Sequence, residues 1–246
     1  MMTKNILILG GTREARQLAD HAAKAGWSAV FSLAGITATP FKTPLPMRYG
    51  GFGGAKGLAE WVVSHAITHL VDTTHPYAAN ISANAVEAAR LTGIKRLTLW
   101  RPEWQAEAED DWHQFSTLKD LFQSIPDDAH LFLAAGQEGI NALPYPPRFR
   151  VTARALEQPE TAHPITFIKA LPASNPDDEA ALFQLHNITH LAVKNAGGSA
   201  SRAKLIAARQ MGLPVFMLAR PDPPPPPLYP AVDALINALT ADRDTH

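Results

Sequence analysis

The chain has 246 residues, 22 basic and 23 acidic side chains, so no charge excess draws it to nucleic acid or an anionic membrane. The absence of cysteine excludes disulfides, iron–sulfur ligation and thiol catalysis. No apolar run approaches the ~18 residues of a membrane span, and Ile6-Leu7-Ile8-Leu9 is too short for a signal peptide, so a cytoplasmic protein is expected.

Residues 5–9 are a short apolar run ahead of Gly10-Gly11, the pattern of a buried parallel strand. Over 13–25, Ala15, Leu18, Ala19 and Ala22 recur at helical spacing, and Gly26 supplies a stop. Strands at 29–33, 69–72 and 96–100 then alternate with helices at 55–65 and 79–92. Such alternation implies a parallel sheet with helices on both faces. The stretch 102–111 carries Glu103, Glu107, Glu109, Asp110 and Asp111 and reads as a boundary, though a solvated surface loop fits the same residues. Beyond it, strands are expected near 130–134, 148–156, 165–170, 190–194 and 214–218, with helices at 177–186 and 200–211. Pro223 to Pro227 predict an extended polyproline II stretch, either a stiff tether or a partner-binding motif, before a last helix at 231–239.

Three pairs of segments look alike at a nearly constant spacing. Leu7-Ile8-Leu9-Gly10-Gly11 matches Leu131-Phe132-Leu133-Ala134-Ala135, and Thr68-His69-Leu70-Val71 matches Thr189-His190-Leu191-Ala192-Val193. Leu99-Trp100-Arg101-Pro102 likewise matches Leu218-Ala219-Arg220-Pro221. Two similar α/β lobes with a ligand cleft between them are therefore expected, although common fold grammar also yields short matches of this kind.

The best-placed motif is Gly10-Gly11-Thr12-Arg13-Glu14-Ala15, directly after the first strand and opening a helix. In open α/β sheets a helix N-terminus at the strands' carboxyl ends presents N–H groups to a phosphate. It is not G-x-G-x-x-G, since Thr12 and Ala15 replace the second and third glycines, and a plain strand-to-helix turn explains it equally well. The second strand ends Phe31-Ser32-Leu33 without the carboxylate that favours NAD, while Arg13 and Arg16 lie close by in sequence. That pattern leaves room at Ser32 for the 2′-phosphate of NADP; a small strand-end serine and two solvated arginines are the alternative. Gly50-Gly51-Phe52-Gly53-Gly54 permits close approach to a flat ligand, or simply makes a surface hairpin. Asp72-Thr73-Thr74-His75-Pro76-Tyr77 ends another strand on the same sheet edge; His75 is the candidate proton donor, while Pro76 supplies an ordinary helix start. The matching edge of the second lobe runs from Lys194 through Asn195, Gly198, Ser199 and Arg202 to Lys204, a candidate anion site or a capped helix with solvated cations.

Several chemistries find no motif. The histidines lack metal spacing, Tyr77 lacks a lysine four residues on, and there is neither a G-x-x-x-x-G-K-[ST] loop nor a G-x-S-x-G elbow. Two functional readings stay open on the residues alone. One is a reductase of a small carbonyl compound; the other is a non-catalytic NADP-binding protein that senses redox state.

Taken in order, Gly10 to Ala15, Gly51-Phe52-Gly53-Gly54, Asp72-Thr73-Thr74-His75-Pro76-Tyr77-Ala78, Arg101-Pro102-Glu103-Trp104 and Lys194-Asn195-Ala196-Gly197-Gly198 resemble the precorrin-6A reductase family of corrin-ring biosynthesis. The resemblance spans 5–221. Ile36 stands where the family is expected to carry arginine, and Ala196 where serine is commoner. The resemblance implies two Rossmann-like lobes, NADPH as cofactor, and hydride reduction of one macrocycle double bond between ring carbons eighteen and nineteen. It implies an NADP-binding lobe over 1–104, a substrate-binding lobe over 112–221, and a Pro-rich strap with terminal helix over 222–246. Gly10, Gly11, Thr12, Arg13, Arg16, Ser32, Gly51, Gly53, Gly54, Thr74 and Pro76 would then hold the cofactor, with His75 beside the reacting ring. Lys194, Asn195, Gly198, Ser199, Arg202, Lys204 and Arg154 would hold the anionic side chains of the tetrapyrrole. Transient contact with other corrin-pathway enzymes is a further implied partnership.

Overall fold

A computed structural model describes residues 4–35, 43–155, 161–199 and 201–242. The chain divides into two compact units: the residues before Glu103 together with those after Arg220, and Glu103–Arg220. Each is an α/β unit built on a six-stranded, all-parallel sheet.

The first unit contains β1 (Asn5–Leu9), α1 (Arg13–Lys24), β2 (Ser28–Leu33), β3 (Met47–Tyr49), α2 (Gly54–Ser64), β4 (His69–Asp72), α3 (Ala79–Thr92) and β5 (Lys95–Leu99). Its strand order is β3-β2-β1-β4-β5, extended by β12 (Leu228–Tyr229) from the end of the chain. The period-two alternation of β1 makes both faces. Ile6 and Ile8 pack with Ala15, Leu18, Ala19 and Ala22 of α1. Leu7 and Leu9 pack with Leu58 and Val62 of α2 and Ala85 and Ala88 of α3. Each buried Leu or Ile contributes about 1.5–3 kcal/mol, and β1 is central because all four of its apolar residues are covered.

The second unit contains β6 (Trp112–Phe115), α4 (Leu118–Gln123), β7 (His130–Ala134), α5 (Gly136–Asn141), β8 (Arg150–Ala155), β9 (Thr166–Lys169), α6 (Pro176–Leu185), β10 (His190–Lys194), α7 (Ala203–Gln210) and β11 (Val215–Leu218). Its order is β9-β8-β7-β10-β11-β6. With β7 matched to β1 and β10 to β4, this is the order of the first unit again. The repeated Thr-His pairs sit alike: Thr68 and Thr189 each precede the strand next to the central one, and each hydroxyl meets the following histidine's Nδ1.

Five short elements were not expected from the sequence: β3, β6, α4, α5 and β12. Three are edge strands, half exposed and without an apolar run. The proline stretch runs into one of them. The Trp100 N–H donates to the Tyr229 carbonyl at 2.7 Å, Arg96 donates to the carbonyls of Pro225 and Pro226, and Lys4 donates to that of Leu239. The last helix, α8 (Val232–Ala241), buries Leu235 and Leu239 against the α1 face, so the terminal segment belongs to the first unit rather than standing apart. No helix among the described residues is long and apolar enough to cross a membrane.

Candidate functional site

In the first unit, the chain leaves β1 toward β2 and later returns to add β4 on its other side, so the carboxyl ends of β1 and β4 form the topological switch point where open α/β sheets take ligands. Gly10 and Gly11 follow β1. The Gly10 N–H donates to the Ser32 carbonyl at 2.9 Å, and a Cβ on Gly10 would lie 2.3 Å from the Phe31 ring. Gly11 has φ +118°, a conformation that side chains disfavour. Both glycines are thus fixed by geometry, and neither puts atoms above the strand end.

Thr12, where a dinucleotide fingerprint would place its second glycine, has two partners. Its hydroxyl oxygen accepts the Ala15 N–H at 3.0 Å as the N-cap of α1 and donates to the Thr73 carbonyl at 2.8 Å. Thr73 answers by donating its hydroxyl to the Leu9 carbonyl at 2.7 Å. Two threonines therefore stitch the ends of β1 and β4 together. Asp72 Oδ1 accepts both the N–H (3.0 Å) and the hydroxyl (2.7 Å) of Thr74, a turn that sets the approach to His75 and Pro76. His75 is half-buried, and its Nδ1 accepts the Tyr77 N–H at 3.3 Å. With Nδ1 accepting, a neutral ring carries its proton on Nε2.

Arg13 and Arg16 are exposed on α1. A third cation, Arg48, was not singled out from the sequence, yet it stands opposite Ser32 in the β2–β3 register. Its Nη1 reaches Ser32 Oγ at 3.5 Å and the Gly50 carbonyl, and its Nη2 donates to the Gly51 carbonyl at 2.8 Å. Its guanidinium lies 3.6 Å from the centre of the Phe52 ring. Only the sheet pairing brings a residue sixteen positions downstream to Ser32, so no local motif announced it. Gly53 caps α2 with φ 76° and Gly54 follows at φ 89°, while Gly51, Gly53 and Gly54 are all exposed.

Arg101 follows the end of β5. It forms a buried ion pair with Glu14 in the first turn of α1 at 2.6 Å. A carboxylate there complements the helix dipole but would repel a phosphate; the arginine neutralises it.

The corresponding edge of the second unit is built differently. Lys194 pairs with Glu138 of α5. Asn195 is buried: its Oδ1 accepts the Trp104 N–H at 2.9 Å and its Nδ2 donates to the Trp104 carbonyl at 3.2 Å. The Gly198 carbonyl accepts the Trp104 indole N–H at 2.7 Å. Arg154, near the carboxyl end of β8, donates Nη1 to both oxygens of Glu179 at 2.8 and 2.9 Å inside the unit. Lys204 is buried too, donates to the Ser201 carbonyl at 2.9 Å, and has its pKa lowered to about 7 by burial and by the nearby Arg154. Asn195, Arg154 and Lys204, expected from the sequence to hold an anion, make these contacts within the unit, with Glu179 of α6 as the partner of Arg154. Ser199 and Arg202 stay exposed, with Arg202 bonded to Glu107 at 2.7 Å. Arg202 also lines a cavity of about 290 Å³, together with Trp104, Glu107, Trp112, Leu205 and Arg209. Ile36 falls outside the described residues.

Comparison with known proteins points one way. The family model described as precorrin-6x reductase CbiJ/CobK matches residues 5–240. The chain is 42% identical over 238 residues to a precorrin-6A reductase of Rhodococcus erythropolis, covering 95% of each chain. It is 40% identical over 223 residues to a precorrin-6A reductase of Rhodobacter capsulatus, covering 89% of each. A solved structure of a CobK precorrin-6A reductase superposes with a TM-score of 0.90 at 36% identity, over 98% of both chains.

Proposed function

The chain belongs to the precorrin-6x reductase CbiJ/CobK family, and from that membership we propose that it reduces one double bond of the precorrin-6A macrocycle to give precorrin-6B, with NADPH as reductant. The observation that carries the reading is the glycine-lined switch point of the first unit. Gly10 has no room for a Cβ, and Gly11 and Gly53 hold positive φ angles with open space where a side chain would stand, so the backbone at this edge is open to close approach. That cradle suits a pyrophosphate, which would bind through Gly10, Gly11, Thr12 and Arg13 at the start of α1. Arg16 and Ser32 would face the adenosine end, and Gly51, Gly53, Gly54, Thr74 and Pro76 would line the rest of the cofactor.

Bound NADPH supplies a hydride. The chain's own residues orient the partners and exclude water, since a conjugated cationic macrocycle already accepts hydride well and positioning dominates. His75, whose neutral ring would carry its proton on Nε2, would donate a hydrogen bond or proton beside the reacting ring. Ser199 and Arg202 offer solvent-facing contacts to the carboxylates of the substrate.

The test is anaerobic incubation of purified protein with precorrin-6A and either NADPH or NADH, following the visible absorption of the macrocycle. A rapid change with NADPH and a much slower one with NADH is expected. Tight NADPH binding without any spectral change would instead favour a non-catalytic redox sensor. Replacing His75 by Ala should lower turnover about 10²-fold or more if it is the general acid; an unchanged rate would remove it from the chemistry.

A further inference from the structure

We infer that Arg48, with Ser32, is the residue pair that reads the 2′-phosphate of the dinucleotide and so sets the choice of NADPH over NADH. The inference rests on the cofactor reading above and deepens it.

Four observations meet at this point. The second strand ends in Ser32, whose small hydroxyl side chain leaves space where an NAD-selective fold carries a carboxylate. Arg48 is the register partner of Ser32 on the neighbouring strand, at the carboxyl edge of the sheet, where ligands bind. Its guanidinium is held in place from two sides, by the Phe52 ring at 3.6 Å and by the carbonyls of Gly50 and Gly51. Finally, it is half-buried without a counter-charge: among the described residues no carboxylate pairs with Arg48, and burial alone pulls its pKa down.

The last point distinguishes Arg48 from Arg101 and Arg96, the other described arginines of the unit that are not exposed. Arg101 has Glu14 at 2.6 Å. Arg96 has the Coulombic support of Asp72. A partly desolvated cation with only neutral acceptors is unfavourable by itself, and an anion on its open side relieves it. A guanidinium offers five N–H donors in a fork that suits phosphate oxygens, and the contacts to Ser32, Gly50 and Gly51 use three of them. Arg13 and Arg16 are exposed on a helix, whereas Arg48 is set in the sheet edge beside Ser32.

The experiment measures binding of 2′,5′-ADP and 5′-AMP to the full chain by calorimetry, in wild type, Arg48→Gln, Arg48→Lys and Ser32→Ala. One charged hydrogen bond is equivalent to roughly a ten- to hundredfold preference. Wild type should therefore prefer 2′,5′-ADP by at least about tenfold. Arg48→Gln should bring the ratio close to one while leaving 5′-AMP affinity unchanged, with Arg48→Lys and Ser32→Ala intermediate. In turnover, Arg48→Gln should raise KM for NADPH without changing kcat. A ratio that survives Arg48→Gln overturns the proposal and returns the phosphate to Arg13 or Arg16. Equal loss of both ligands also overturns it, leaving Arg48 as a support of the glycine turn. A wild type that does not discriminate would sink the NADPH reading itself, and the precorrin-6A assay with NADH would show whether the reductase reading outlives it.

Discussion

The two units share a strand order and differ at the edge where that order places ligands. In the first, the residue after β1 is Gly10, closed to side chains by Phe31, and the switch point is lined by backbone and hydroxyl groups. In the second, the residue after β7 is Ala135, and the edge is filled by Lys194–Glu138, Arg154–Glu179 and buried Lys204. A common topology supplies a location, but only side chains decide whether it remains open. The charges that a sequence motif offers as ligand contacts are equally able to become internal ion pairs.

The contrast can be broken most severely at Arg154. Arg154→Met leaves Glu179 buried and unpaired and should lower the stability of the second unit by about 3–5 kcal/mol. Arg154→Met with Glu179→Met should recover most of that, as read by urea denaturation. A single variant as stable as wild type would mean that the pair is dispensable to the fold of the unit.

Lys204 gives the next largest effect, with a pH signature. In the unfolded chain this lysine stays protonated to about pH 10.4, but in the folded chain only below about pH 7. The unfolded state therefore binds more protons between those values, and stability rises with pH across that window. Lys204→Met should flatten the rise and stabilise the protein at pH 7 and below by about 1–4 kcal/mol. Denaturation midpoints at pH 6, 7.5 and 9 would check it.

A smaller difference is expected at the paired turn positions. Gly10→Ala forces the Phe31 ring to move and should cost about 1–3 kcal/mol, with loss of dinucleotide binding. Ala135→Gly in the second unit removes one buried methyl and should cost about 1 kcal/mol. Equal effects at the two positions would mean that Phe31 yields freely.

The smallest effect concerns what only the first unit has, a terminal strand and helix. Asp242 is held below the usual carboxylate range by hydrogen bonds from Lys95 and His69. Its stabilisation is present above the unfolded value near pH 3.9 and is lost as pH falls through the folded value. Because Lys95 is more than half exposed, the gain is about 0.2–1 kcal/mol. Asp242→Asn should remove it at neutral pH and leave stability unchanged at acid pH, where the carboxyl is protonated in both states.

Much of this was legible in the chain itself. The apolar run of β1, the helical spacing of Ala15, Leu18, Ala19 and Ala22, and the repeated Thr-His strands announce two parallel α/β units, because hydrophobic period is a local property. The glycine turn at Gly10 and the Asp72–Pro76 turn were readable for the same reason, each lying within a few residues of a strand end. The ordered motifs carried the family. What the sequence could not reveal depends on distant partners. The roles of β6 and β12 as the sixth strands of their sheets, the clasp of Asn195 on Trp104, and the burial of Arg154 and Lys204 with Glu179 arise only when segments far apart in sequence are packed together. Arg48 is the sharpest case. Its sequence neighbours say nothing of Ser32, and only the hydrogen-bonded register of two parallel strands brings the cation to that hydroxyl.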